Sequence, residues 1–490
     1  CALGHCVLKG NVEGNVLYNQ DELVNNVPGN NLINSLPKRK QGLAGRLSYA
    51  YDGKYMAEVN MGYNGSENFA KGHRWGFFPS IALGYNISEE SFFEPLRKVI
   101  TSMKLRGSWG LVGNDQIGGE RFIYMPTINL SGKGFTTGID QNYGLSGPVY
   151  TRYENNSITW EVGEKINLGI DLQLLNSLNI VVDIFRETRR DIFQKKGTIP
   201  TYLGTGNTDV FGNLAEMKNQ GLDLSIDYNK AFSKDFYMNF KGTFTYAHNE
   251  ITKYDEAPKY AFQSKVGQSA NVSQGYLSNG LFLDEAEIDR YNQQMGSTLG
   301  AGDIKYLNVS NMHGYGDDIV DVDDWTWIGN PTVPEIVYGF GPSFKYKNWD
   351  FSFFFQGVAK TSLFMSGFHP FGDNSLRNVL QFVANDRWSP TNQNVDAKYP
   401  RLTRKTSLNN TNPGNSGRTS DYWMRDGSFL KLKNMELGYT FKRMRFYISG
   451  SNLLTFSKFD LWDPEQGGGS GLKYPTQRVF NVGFQMTFNN

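Results

Sequence analysis

From residue 166 to 174 the chain alternates with a period of two. Ile166, Leu168, Ile170, Leu172 and Leu174 are apolar, while Asn167, Gly169, Asp171 and Gln173 between them are small or polar. Successive side chains of a strand point to opposite faces, so this segment is a strand that is greasy on one side and wet on the other. It turns at Asn176-Ser177 and returns with Ile180, Val182 and Ile184 opposite Asn179, Val181 and Asp183, a hairpin whose short turn fixes its register. The grammar recurs at Leu222 to Tyr228 and at Met238 to Tyr246. Leu47, Tyr49 and Tyr51 run into Asp52-Gly53, a tight-turn signal, and Ala57, Val59, Met61 and Tyr63 follow.

Other connections are long. The stretches from about 112 to 160, 251 to 333 and 361 to 427 are rich in Gly, Asn, Asp, Ser and Pro, with scattered Tyr and Trp. Short turns at one end and long loops at the other are the asymmetry of bacterial outer-membrane barrels. A soluble β-sandwich is disfavoured by strand length, since its strands average roughly 5 to 6 residues and these run nearer 10 to 13.

Composition agrees. The hydrophobic fraction is 39%, yet aromatic residues reach 14%, with 27 Tyr and 34 Phe, and mean hydropathy is −0.47. No apolar run approaches the roughly 18 to 20 residues of a membrane-spanning helix; the densest, Leu178 to Phe185, is strand-sized. Helical membrane architecture is excluded and a transmembrane barrel is not, because alternating strands average to ordinary hydropathy. At the end of the chain, Phe480, Val482, Phe484, Met486 and Phe488 share one face and read as a closing strand. With 49 basic and 48 acidic residues the chain carries no electrostatic footprint for nucleic acid. The two cysteines, Cys1 and Cys6, are open to reading as a small-loop disulfide, a thiol pair, the accident of a chain boundary, or a lipoprotein start.

Three groups of motifs resemble those of SusC/RagA-like TonB-dependent transporters of Bacteroidota. The first is Arg74-Trp75-Gly76-Phe77-Phe78-Pro79-Ser80 with Gly84-Tyr85, Ile87-Ser88-Glu89-Glu90 and Lys104-Leu105-Arg106-Gly107-Ser108-Trp109-Gly110. The second is Gly302-Asp303-Ile304-Lys305-Tyr306, then Ile328-Gly329-Asn330-Pro331 and Tyr338-Gly339-Phe340. The third is Tyr399-Pro400-Arg401, Tyr422 through Asn434, Ser451-Asn452-Leu453-Leu454 and Asp463-Pro464-Glu465.

The resemblance implies an all-β, transmembrane antiparallel barrel in the outer membrane, importing oligosaccharides or peptides. It implies a SusD-like surface lipoprotein as lid, and a TonB energy-coupling complex acting through amino-terminal parts not recognisable here. About thirteen strands are legible, and plugged transporters need about 22, so the chain reads as the carboxy-terminal part of a larger barrel. Residues 1–40 read as a boundary segment without a clean strand pair, and 41–490 as the barrel portion. A self-contained, diffusive porin-like barrel of about 14 strands and a soluble adhesin-like β protein are the alternatives.

No residue is assigned to catalysis, to a cofactor or to a metal. The five histidines (His5, His73, His248, His313, His369) lack spaced partners. His248-Asn249-Glu250 has no later cysteine pair, Ser35-Leu36-Pro37-Lys38 has no companion motif, and Gly467 to Gly471 opens no helix. The resemblance implies a calcium-loop-like run of alternate acids after Gly302-Asp303. In the stretch 308–324 that spacing is broken, with Asp317, Asp318, Asp321, Asp323 and Asp324 arriving late, and a solvated acidic loop is expected, with an ordered cation as the alternative. For substrate contact, loop aromatics are the candidates: Trp325, Trp327, Trp388, Tyr422 and Trp423. Packing is the commoner fate of such rings. Trp325 and Trp327, which flank Thr326 and share a side if the backbone is extended, are the pair selected.

Overall fold

The computed structural model describes residues 11–23, 38–117, 122–200, 208–291, 299–315, 318–366, 379–402, 408–410 and 419–488. Cys1, Cys6, His5, His369 and Asp317 lie outside them. The chain divides into two compact units. The first is residues 1–226 with 247–257 and 265–267, and the second is 227–246 with 258–264 and 268–490.

The first unit holds β1 (Asn11–Leu23), β2 (Lys38–Tyr51), β3 (Tyr55–Ser66), β4 (Trp75–Asn86), β5 (Ile100–Asn114), β6 (Thr127–Thr137), β7 (Tyr143–Arg152), β8 (Glu161–Leu174) and β9 (Leu178–Lys195). It also holds most of β10 (Phe211–Ala231). Its long strands are hydrogen-bonded in the order β1-β2-β3-β4-β5-β8-β9-β10, antiparallel from β1 through β9, and β6 and β7, which come between β5 and β8 in the chain, form a separate hairpin. Within residues 1–40 the described residues already form strand. β1 is there, paired to β2, and β2 itself begins at Lys38.

The turns at one end are tight for a backbone reason. Asp52 and Gly53 have φ of 52° and 66°, and Leu175 and Asn176 have φ of 51° and 54°. Paired positive φ values are those of the two-residue turns whose twist matches the flanking strands.

Rows of apolar side chains cross the strands on one face. Leu47, Val59, Ile81, Trp109 and Ile166 form one row, and Tyr49, Ala57, Leu83, Gly107, Leu168 and Ile184 form the next. Leu168 is 63% exposed, Leu83 and Ile184 in its row are exposed with it, and so are all five residues of the first row. A face this apolar left uncovered marks contact with another apolar phase. Aromatic pairs flank it: Tyr55 stacks on Tyr85 at 5.1 Å near the tight-turn end, and Tyr63 on Trp75 at 4.8 Å near the other. From Tyr55 to Tyr63 the strand runs about 26 Å, the scale of an outer-membrane apolar band.

The opposite face is charged and cross-linked. Arg46 meets Glu58 at 2.6 Å, and the Arg106 guanidinium reaches Asp171 at 2.8 Å and Asp183 at 3.0 Å. These are the wet positions of the alternation, including Asp171 and Asp183 of the β8–β9 hairpin.

The second unit holds most of β11 (Phe236–Lys253), then β12 (Ser273–Gly275), β13 (Ser278–Leu281), β14 (Ile304–Tyr306), β15 (Thr326–Ile328), β16 (Ile336–Tyr346) and β17 (Trp349–Ala359). β18 (Ser362–Phe364), β19 (Met424–Asp426), β20 (Phe429–Phe441), β21 (Met444–Ser457) and β22 (Val479–Met486) complete it. Its long strands pair as β11-β16-β17-β20-β21-β22. Met238, Phe344, Phe351, Leu437, Ile448 and Val482 make an apolar row across all six. On the other face Arg445 is paired with Asp350 and, at 2.6 Å, with Glu436.

Among the described residues the main sheets of the two units hold fourteen strands between them, one more than the expected thirteen or so. Several exceed the expected length: β10 has 21 residues, and β9 and β11 have 18 each. About 9 to 11 residues cross a bilayer, so these strands continue well past it. Among the described residues β22 pairs with β21 alone, so its expected role of closing strand is not seen as a closed sheet.

Candidate functional site

The described parts of the second unit's long connections have a core of their own. Residues from the 254–335 stretch (Tyr276, Ile304, Tyr306, Val320), from the 360–428 stretch (Leu363, Trp388, Tyr399, Trp423) and Phe459 bury one another. The pieces are too short to be stable alone. β12 pairs with β15, β13 with β14 and β18 with β19, each over three or four residues.

A buried carboxylate ties two of these stretches. Asp303 has no exposed surface, and Arg401 grips it with Nε on Oδ1 at 2.6 Å and Nη2 on Oδ2 at 3.0 Å. The Asn410 amide donates to Oδ1 at 2.7 Å and the Gly300 N–H to Oδ2 at 2.9 Å. Gly302 beside it has φ +84°, and a Cβ there would lie 2.4 Å from the Trp388 ring. The hydrogen bond to Asp303 holds the Arg401 guanidinium above its ordinary value against the opposing effect of burial.

The 458–478 connection is fastened by charge. Lys431, only 2% exposed, is paired with Asp463 and reaches Glu465 at 2.8 Å, while Lys433 meets Glu465 at 2.6 Å. Burial pushes the Asp463 and Glu465 carboxyls up, but the hydrogen bonds and charge of Lys431, with the Thr476 hydrogen bond for Asp463 and the Lys433 hydrogen bond and charge for Glu465, together outweigh it and both titrate below their ordinary values. A groove of about 510 Å³ lies beside this staple, lined by Asn452, Asp460, Trp462 and Arg478 among others.

The selected tryptophans occupy different settings. Trp325 packs against the loop core, edge-on to Tyr276 at 5.9 Å, and its buried indole N–H has no hydrogen-bond partner among the described residues. Trp327 lies in β15 opposite Gln274 of β12, and its Nε1 donates to the Ser264 carbonyl at 2.8 Å. Both are half-buried. Trp388 and Trp423 are buried, and Tyr422 is largely so, with its hydroxyl donating to the Ala397 carbonyl at 2.9 Å. Burial pushes the Tyr422 hydroxyl far up its titration range. These three pack the loops.

The acids of the 308–324 stretch are not a solvated loop throughout. Asp324 is fully buried, accepting from the Ser310 N–H at 2.9 Å and the Asp321 N–H at 2.8 Å. Asp321 accepts from the Asp323 N–H at 2.7 Å, and Asp323 is paired with Lys259. They cap backbone rather than converge on a point. Next to them is a ring stack that the sequence did not single out: Phe262 on His313 at 4.7 Å, Tyr260 on Phe262 at 5.5 Å, and Tyr315 on Tyr260 at 4.2 Å. His313 and Tyr315 are exposed.

Strands that outreach a bilayer, an uncovered apolar face with aromatic flanks, a charged opposite face and tight turns between neighbouring strands define a transmembrane β-barrel wall. A family model described as TonB dependent receptor-like, beta-barrel matches residues 9–453, and the chain belongs to that family. The TonB-dependent receptor SusC of Bacteroides thetaiotaomicron is 28% identical over 471 residues, covering 91% of this chain and 43% of the relative. A TonB-dependent receptor of Formosa agariphila is 27% identical over 481 residues, covering 91% of this chain and 45% of the relative. The chain thus spans a little under half the length of these relatives. Among solved structures, the RagAB peptide transporter aligns with a TM-score of 0.66 at 22% identity, over 94% of this chain and 49% of that one. That likeness is one of fold.

Proposed function

We propose that the chain is part of the barrel wall of an outer-membrane importer that takes up oligosaccharides or peptides, energised by a TonB complex and covered by a SusD-like surface lipoprotein. The observation that carries the reading is the pairing of one apolar and one charged face in strands crowned, at one end only, by a packed, aromatic-rich loop layer. A diffusive pore needs only the wall. A loop layer latched by Asp303 and Arg401 offers a fixed surface on which a substrate or a lid can sit. Membership of the TonB-dependent receptor family supports energised import, and the peptide-transporting neighbour in fold space supports a peptide as one of the two substrate classes.

Within this reading Trp325 and Trp327 remain the proposed substrate contacts. Their rings are half-buried and held in fixed settings, Trp325 against Tyr276 and Trp327 by its bond to the Ser264 carbonyl. The test is uptake in cells lacking the full-length gene and in cells with it restored. Labelled oligosaccharides and peptides should enter only the restored cells, entry should stop when a protonophore collapses the proton gradient, and a surface lipoprotein should co-purify. Uptake insensitive to the protonophore would point to a diffusive pore instead.

A further inference from the structure

Most turn-end connections are brief: 52–54, 175–177, 232–235, 347–348 and 442–443. The connection from β4 to β5 is the exception, running from 87 to 99 through two 3₁₀ turns, Ile87–Glu89 and Ser91–Leu96. A 3₁₀ helix has three residues per turn, so side chains at i and i+3 eclipse and the segment has three edges. The hydrogen bonds keep that spacing past Leu96, with the Arg97 N–H on the Glu94 carbonyl at 3.2 Å and the Val99 N–H on the Leu96 carbonyl at 2.9 Å.

Sorting the residues by edge gives a clear division. Ser91, Glu94 and Arg97 make a polar edge. Phe93, Leu96 and Val99 make an apolar one, and Phe92 and Pro95 extend it until Lys98. Only Phe93 is turned into the protein, at 3% exposed, while Phe92 is 68%, Leu96 52% and Val99 56% exposed. Those three have no core of their own to enter.

The segment is pinned to the rim of the apolar face. Glu90 accepts from the Tyr55 hydroxyl at 2.7 Å and the Tyr85 hydroxyl at 3.4 Å, and from Lys54 at 3.4 Å. Tyr55 and Tyr85 are the stacked pair flanking the apolar rows. The Val99 carbonyl accepts from the Leu175 N–H at 2.8 Å, and Leu175 is exposed too. The exposed Phe92, Leu96 and Val99 therefore continue the lipid-facing surface outward at its tight-turn edge.

The geometry points to the 87–99 connection as a membrane-interface anchor: Phe92, Leu96 and Val99 enter the headgroup and acyl boundary of the nearer phospholipid leaflet, and Glu94 and Arg97 stay in water. The occupant is a lipid leaflet because the patch is continuous with the apolar face and flanked by interfacial tyrosines. A side-lying amphipathic segment buries its apolar side at such a boundary. The inference rests on the membrane reading of the barrel wall.

The test uses the full-length protein in phospholipid vesicles, with its native cysteines replaced by serine. A bimane label is placed in turn on Phe92→Cys, Leu96→Cys, Glu94→Cys and Leu168→Cys, and each is quenched by a lipid carrying a nitroxide near its carbonyl and, separately, by aqueous iodide. Labels at 92 and 96 should be quenched at least threefold more by the lipid nitroxide than by iodide, and the label at 94 the reverse. Iodide-dominated quenching at 92 and 96 while 168 stays lipid-quenched overturns the anchor alone. Iodide-dominated quenching at 168 as well overturns the membrane reading on which it rests.

Discussion

Arg401 meets Asp303 in a two-pronged ion pair across 98 residues of chain, with the carboxylate fully buried and the guanidinium still partly in water. Removing one partner of a buried pair leaves an uncompensated charge, a more serious loss than the pair's own contribution. Arg401→Ala should destabilise the loop layer by about 3 kcal/mol, the low end for such pairs because Arg401 keeps some solvent. Hydrogen exchange should rise across 300–306 and leave β8 protected. Unchanged exchange in those loops would show that the apolar core alone suffices.

The two faces of β8 should respond differently to charge. Leu168→Arg should cost roughly 2 to 4 kcal/mol, the penalty for Arg near the midplane of a barrel's lipid face, and Asn167→Arg much less. Refolding equilibria into lipid vesicles measure both. Equal costs would mean that the faces are misassigned.

Acid should release the 458–478 connection. Asp463 and Glu465 titrate below their ordinary values because Lys431, Lys433 and the neighbouring hydrogen-bond donors together outweigh the opposing effect of burial. A carboxylate with a folded pKa below its unfolded one contributes stability that is complete above the unfolded value and fades as pH falls through the folded one. The connection should therefore stay fastened at neutral pH and loosen only below the ordinary carboxylate range. Trp462 emission against pH reports it, since that indole is tied to the Gly467 carbonyl at 2.9 Å within the connection. Loosening as pH rises from neutral would contradict the staple.

Replacing Trp325 and Trp327 together with alanine should reduce uptake at normal surface abundance. Trp325 also packs against Tyr276, so Trp327→Phe is the cleaner single change, keeping a ring and losing only the hydrogen bond to Ser264. Uptake unchanged by the double replacement would remove both from the site.

The sheet was legible where lipid contact imposes a rule. Every second residue from Ile166 to Leu174 must be apolar, and the register of the β8–β9 hairpin follows. The rule lapses beyond the membrane. β10 was visible only from Leu222, because Phe211 to Gly221 runs through Asn213, Glu216, Lys218 and Asn219 without a greasy face, yet it pairs as strand from Phe211. β1 escaped for a similar reason, ending in the polar run Asn19-Gln20-Asp21-Glu22. The loop layer was legible as motifs without roles. Gly302-Asp303 and Tyr399-Pro400-Arg401 stood out, but nothing local says that they meet, and three-residue strands such as β14 are too short to show a period. Trp325 and Trp327 share a side in an extended backbone. The backbone is extended from Trp325 into β15, and what the local pattern does not show is that Trp325 packs against the loop core.

The central claim is that one face of these strands meets lipid and the other meets water. A nitroxide walked through positions 166 to 173 of the full-length protein in bilayers tests it most directly, by comparing collision rates with oxygen, which concentrates in lipid, and with a water-soluble nickel chelate. Oxygen should dominate at 166, 168, 170 and 172 and nickel at 167, 169, 171 and 173, a period of two in antiphase. Nickel access that is uniform along the strand would contradict the account.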